Sequence, residues 1–321
     1  MCRKLIKAID AYLAKADEDL ADTLDSEGYT HGKDTVNLIS DIEDEVAEAL
    51  EVQTAIVVTG ATAAASLSAF KSVWRNIQQS DTLDREIEDI FRKNLEKFLP
   101  KYTEYYIKRT DRALVCTRLT KRSQAWIEEW SRDLGEIMKL NSHREIQTIL
   151  DAGIKDGIGT EEFTRRIFES GIRNERYKAR RVALTEVLTA HRMAQQEAFE
   201  QSPSVKDKEW QHTGAHKNEP RQNHVDMNGQ TVSVNSPFEL EGEDGEIYYP
   251  MIPGDTNLPP EERINCHCIA KPIVDEDILG MPLEERRRLQ EEAIDELDEE
   301  WERELDERNR AKAGIEVEED T

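Results

Sequence analysis

Up to about residue 201 this chain has no run of alternating apolar and polar residues, the pattern a half-buried strand needs. Apolar residues recur instead at intervals of three and four. Leu5, Ile9, Tyr12, Leu13, Ala16 and Leu20 mark a first helix, and Leu38, Ile42, Val46 and Leu50 a second that starts near Thr35. Ile87, Ile90, Phe91, Leu95 and Phe98 predict a long helix reaching Pro100, and Trp126, Trp130, Leu134 and Ile137 share one face of the next. Ser142 and Glu145 have capping-box spacing, which predicts a fresh helix start there. Thr160 opens a short helix whose acidic first turn, Glu161 and Glu162, suits the helix dipole, and a longer helix covers roughly 174–201.

The pattern breaks at Ser202-Pro203. Glycine and proline become frequent, and the runs KEWQHT, QTVSV, EIYYP and IAKPIV read as short strands. Past Pro282 strong helix formers with i,i+4 charge pairs return, but the apolar positions Leu289, Ile294, Leu297, Trp301 and Leu305 are sparse. They predict a solvated helix or docking arm that frays into a disordered end after Gly314. The fold class that follows is mainly α: an elongated helical body, a small α+β C-terminal module of short strands and loops, and an acidic C-terminal helix. Along the sequence this gives a helical N-terminal region over 1–140 and a second domain over 141–273, with helices at 141–201 and the short-stranded module at 202–273. An acidic tail follows over 274–321.

Hydrophobic residues make up 37% of the chain and charged residues 35%, with mean hydropathy −0.73, so a modest core and long solvated helix faces are expected. The one uninterrupted apolar run, 55–70, is rich in Ala, Thr and Gly. It falls short of the ~20 strongly apolar residues that span a bilayer, and predicts a buried central helix and no membrane partner. A net charge of −25 argues against a DNA-coating protein. That charge is uneven: residues 275–321 hold 20 acidic and 7 basic residues, whereas 101–122 and 165–181 each hold seven basic and two acidic. The basic stretches are either solvated helix faces or local contacts with a polyanion. The second reading runs through Arg109, Arg112, Arg165, Arg166, Arg176, Arg180 and Arg181.

Four cysteines do not make the disulfide framework of a small secreted domain, and the amphipathic start lacks the pattern of a signal peptide, so a reducing intracellular setting is expected. Cys2 and Cys116 lie in helical sequence as inert thiols. Cys266 and Cys268 are separated by one residue, where a disulfide would close a strained ring and shared metal binding is favoured. With His224 they supply three ligands for a tetrahedral structural zinc, the fourth coming from His212, His216, Asp255 or His267. A module with so few apolar residues benefits from such a staple. In a metal-free alternative the two cysteines alternate across a strand, one of them buried, and His224 caps a turn. A metal-dependent nuclease or hydrolase is the competing class. It needs a base histidine on a strand–strand–helix unit, and no helix is expected close after His224. Asp226, Asn228 and Glu219, the other candidates for such a site, are commonly turn residues. No enzyme is expected.

Several of these elements fall in one order. Thr185-Glu186 lies in the helix ALTEVLTAHRMAQQEAF, followed by Trp210, Arg221-x-x-His224 and Asn228-Gly229, then Pro237-Phe238, Pro253-Gly254-Asp255 and Asn265-Cys266-x-Cys268. In this the chain resembles the phage Mu F-like head morphogenesis proteins, minor capsid proteins of tailed bacteriophages, over about 146–272. Leu184 stands where that family usually has Arg, and the stretch before His224 is slightly longer, with His216 and Lys217 extra. The resemblance implies a virion protein inside the head, and in the host cytoplasm during assembly. It implies association with the portal protein and with scaffold or major capsid protein, and contact with viral DNA during packaging or ejection. On that reading the helical N-terminal region docks on portal or scaffold, the basic helices face DNA, and the acidic arm meets a basic partner.

Overall fold

A computed structural model describes residues 18–171, 175–213 and 220–315, with 170, 171 and 175–177 as backbone only. The first expected helix lies mostly outside these residues, which retain its end as a helical stretch at 18–27. The protein is mostly helical, with small antiparallel sheets around 205–274. The helices before the module are α1 (Gly32–Ala63), α2 (Leu67–Ser80), α3 (Leu83–Thr110), α4 (Lys121–Asp156), α5 (Thr160–Gly171) and α6 (Glu175–Glu200). The module then runs β1 (Val205–Gln211), α7 (Gln222–Asp226), β2 (Thr231–Ser233), β3 (Leu240–Glu241), β4 (Ile247–Tyr248), α8 (Pro260–Arg263) and β5 (Ile269–Val274). Two helices follow, α9 (Glu276–Leu279) and α10 (Leu283–Lys312).

Three expectations about helix boundaries are corrected. The apolar run 55–70 is not one buried central helix. It carries the end of α1, breaks where Ala64 turns extended, and restarts as α2 after Ser66, whose hydroxyl accepts the Ala69 N–H. Val57 and Ala61 are buried, yet Val52 and Ile56 are about half exposed, so α1 is amphipathic throughout. Pro100 does not end α3, because burial of Phe98, Leu99, Tyr102, Tyr106 and Ile107 outweighs the missing N–H and carries the helix on to Thr110. No helix starts at Ser142. Its hydroxyl donates to Gln53 instead of capping, and α4 runs through because Met138, Ile146 and Leu150 continue one buried stripe.

The chain forms two compact units, which interleave along the sequence. One contains 31–95 and 127–187, and the other 23–30, 96–126 and 188–315. Long helices contribute residues to both, which a linear reading does not anticipate. The first unit's core joins Val57, Ala61, Leu67, Phe70, Trp74, Ile146, Leu150, Phe163 and Ile167 from four helices. Gly135 allows α3 and α4 to approach closely: a Cβ there would sit 2.2 Å from the Asp84 carbonyl oxygen.

In the second unit β1 is the centre strand of a three-stranded antiparallel sheet, between β2 and β5, and β3 pairs with β4 as a separate ribbon. The four expected strand runs all carry strands, and β3, only two residues long, went unread. Glu197 on α6 is buried and fully engaged. It accepts from the Thr120 amide and hydroxyl (2.7 Å each) and from Ser123 Oγ (2.6 Å), so it anchors the start of α4. α10 is no free arm. It buries Gln290, Ile294 and Leu297, Arg286 pairs with Asp111 at 2.6 Å, and Arg118, Lys121 and Arg122 pair with its acidic residues. Residues beyond 315 lie outside the described ones.

Candidate metal centre

The site is assembled by strand parity. In β1 Trp210 is fully buried, so His212, two residues on, leaves the strand toward the same face. β1 and β5 pair with Trp210 opposite Ala270 and Gln211 opposite Ile269, which sets His212 opposite Cys268 one step beyond the ladder. Cys266 and Cys268 lie in the segment that enters β5, after Asn265, whose φ is 59°. Both thiols are buried, at 4% and 3% exposure, in one cluster with Trp210, Met227, Phe238, Leu240 and Leu258. The metal-free alternative expected one buried cysteine on a strand, whereas both are buried and both precede β5.

The third group comes from α7, which places His224 on the helix itself rather than in a turn, with 2% of its surface exposed. Its Nδ1 lies 3.6 Å from Cys266 Sγ and 3.8 Å from Cys268 Sγ. The ligand atoms of all three residues fall within 4.8 Å of one another, so this group can hold a metal ion. Glu262, on α8, accepts from His224 Nε2 at 2.8 Å. A carboxylate only accepts, so the proton sits on Nε2 and the Nδ1 lone pair faces the sulfurs. Glu262 is held in turn by Asn223 Nδ2 (3.1 Å) and the Glu243 amide (2.9 Å).

Arg192 completes the frame from α6. It is fully buried, donates through Nε to the Cys268 carbonyl at 2.8 Å and through Nη2 to the Cys266 carbonyl, and lies over the Tyr29 ring. Gly254 of the Pro-Gly-Asp turn, at φ 70°, makes room for it: a Cβ there would lie 2.6 Å from Arg192 Nη1. Burial opposes a charge on His224, but hydrogen bonding to Cys266 and Glu262 outweighs it and raises its pKa. A hydrogen bond from the Cys268 thiol, helped by Arg192 and His224 against burial, holds Cys266 well below the usual thiol range. The same hydrogen bond to Cys266, together with burial, pushes the Cys268 thiol far above the usual thiol range.

The structure distributes the other expected ligands differently. His212 is half-buried, with Nδ1 3.5 Å from Cys268 Sγ. Asp255 organises its own turn, accepting from the Met251 and Asn257 amides at 2.8 and 3.0 Å. His267 turns to Glu27 through Nδ1 at 2.8 Å. His216 and Glu219 lie outside the described residues. Asp226 is exposed and accepts from Gln222, while Asn228 Oδ1 holds the His212 amide at 2.8 Å.

The arginines expected to meet nucleic acid divide between the two units, Arg109 and Arg112 in one and Arg165, Arg166, Arg180 and Arg181 in the other. Arg165 pairs with Glu162 and Glu169, Arg166 with Asp156 and Glu162, and Arg180 with Glu43. Arg109 donates to the Gly28 carbonyl at 2.7 Å, Arg112 and Arg181 are exposed, and the Arg176 side chain is outside the description. Three of the seven are thus engaged with carboxylates, as the solvated-face reading expects. Sequence reasoning missed Glu262 and Arg192. For Arg192 a signal existed, since it lies four residues after Leu188 and seven before Phe199, a charge on a buried helical stripe.

Fold and site together define a helical protein with a compact cysteine–histidine module. Residues 144–271 match the Phage Mu protein F like protein family. The chain is 34% identical over 220 residues to the uncharacterized protein YqbB of Bacillus subtilis (strain 168), an alignment covering 68% of this chain and 71% of that one. No solved structure matches. The chain belongs to the Mu F-like family, whose Mu F proteins are phage head morphogenesis proteins. Among the described residues no helix is long and apolar enough to cross a membrane.

Proposed function

We propose that this chain is a minor head protein of a tailed phage that acts in head morphogenesis without catalysing a reaction. It sits inside the head, in contact with the portal protein, and its His224, Cys266 and Cys268 hold one structural zinc. The observation that carries the structural reading is burial. All three ligand residues are at most 4% exposed, in a core with Trp210 and Phe238, whereas a catalytic zinc needs a position open to substrate. The family relationship supports the morphogenetic role.

Deleting the gene from its phage tests this directly. The expected result is few infectious particles, with the chain present in purified wild-type virions and cross-linked to portal in assembling heads. Normal particle yield and absence from virions would overturn it. Salt-dependent DNA binding by the full chain would extend the role to viral DNA, through Arg109, Arg112 and Arg181. His224-dependent cleavage of DNA would replace the structural reading with the metal-dependent nuclease.

A further inference from the structure

We infer that His212 is the fourth protein ligand, closing a tetrahedral Cys2His2 zinc centre with His224, Cys266 and Cys268. This rests on the zinc reading above and goes beyond it by filling the position a catalytic metal would leave open. Zinc held at ~2.3 Å from sulfur and ~2.05 Å from nitrogen puts tetrahedral S and N ligands about 3.6 Å apart. The observed S···N separations are 3.5 Å for Cys268–His212, 3.6 Å for Cys266–His224 and 3.8 Å for Cys268–His224. These match three of the four sulfur–nitrogen edges of such a tetrahedron.

The backbone aims His212 at this point. Its cross-strand register opposes Cys268. Beyond β1 the chain is held by the Asn228-Gly229 turn, through Asn228 Oδ1 on the His212 amide (2.8 Å) and the Gly229 amide on the Trp210 carbonyl (2.8 Å). His212 Nδ1 approaches from the Cys268 side, and metal uptake draws the ring onto the remaining ligands. Of the other residues with a suitable donor, Asp255 and His267 are committed to their own partners. The charge also closes. Zn²⁺ with two thiolates and two neutral imidazoles is neutral, and the buried Arg192 and Glu262 beside it carry opposite charges. Binding releases to solvent the Cys268 thiol proton and any proton that Cys266 or the ligating imidazole nitrogens still hold, and no electron moves. The ion would link the end of β1, α7 and the entry to β5.

The test uses the full chain, reduced and loaded with Co²⁺ or Zn²⁺. The wild type should give the intense visible bands of four-coordinate cobalt with sulfur ligands. His212→Ala should weaken zinc binding at least ~10–100-fold, the range lost even with an outer-shell partner, and shift the cobalt bands toward a water-bound site. His212→Cys should restore four-coordination with a stronger sulfur-to-cobalt band, which separates loss of a ligand from loss of folding. His216→Ala should change neither. If His212→Ala keeps wild-type bands and affinity while Cys266→Ser loses the metal, zinc stands and the His212 assignment falls. If His216→Ala has the effect expected of His212→Ala, the assignment also falls. A wild-type chain that takes up neither metal overturns both readings.

Discussion

The helical unit around Phe70 and Phe163 and the module around Trp210 are both folded on a buried cluster, but they are held by different means. In the first, helix periodicity brings Leu67, Phe70, Trp74, Leu150 and Phe163 to one centre, with Trp74 Nε1 donating to Gln147 at 2.8 Å beside it. In the second, the β1–β5 ladder has six residue pairs, but the other strands are only two or three residues long. There the buried groups that set geometry are polar: Arg192 on two carbonyls, Glu262 on His224, and Lys208 on Gln196 (3.0 Å) and the Met251 carbonyl (2.8 Å). Long periodic segments specify themselves through area, whereas short loop-rich ones need directed contacts.

The sharpest way to separate the two is Arg192→Ala. It leaves the Cys266 and Cys268 carbonyls without their donor and opens a cavity, so we expect a loss of about 3–5 kcal/mol. The near-ultraviolet signal of Trp210 should fall while helical circular dichroism largely persists. Arg192→Lys should not rescue, because one ammonium cannot reproduce the forked donor geometry. Phe163→Ala should cost about 3 kcal/mol by cavity formation, measured by chemical denaturation, and should be indifferent to chelators. A chelator-dependent effect of Phe163→Ala would break the comparison.

A smaller effect reports on buried charge. Glu200 lies on α6 among Arg122, Lys208 and Glu197. Burial raises its pKa to about 7, and burial lowers that of Lys208 to about 8. With a raised folded pKa, the Glu200 contribution is fully present below the usual carboxylate value of 4.5 and is lost as pH rises through about 7. The stability of the wild type relative to Glu200→Gln should therefore decline from pH ~4.5 to ~7, by on the order of 2 kcal/mol. A flat difference across that window would contradict the burial argument. Smallest is Ser66→Ala, which removes the cap of α2 and should cost about 1 kcal/mol in thermal unfolding.

How far the sequence could be read follows the same division. Helix existence was legible, since each apolar stripe spans several turns. Boundaries failed where tertiary burial overrode a local signal, at Pro100 and Ser142. The strands were legible from turn residues, and the gathering of His224, Cys266 and Cys268 from their pattern. Their supports were not. Glu262 reads as one more acidic residue in a Pro-Pro-Glu-Glu turn, and only the fold puts it 2.8 Å from His224. The position of His212 was readable only once the β1–β5 register was known, because Trp210 opposite Ala270 is what sets it across from Cys268.

The central claim is that a metal does in the module what apolar area does among the helices. Native mass spectrometry of the full chain, purified without chelator, tests it most directly. The expected result is one zinc per chain, retained on desalting, absent from Cys266→Ser, and lost together with the Trp210 signal on chelation. A metal-free chain with an intact Trp210 signal and unchanged melting under chelator would contradict it.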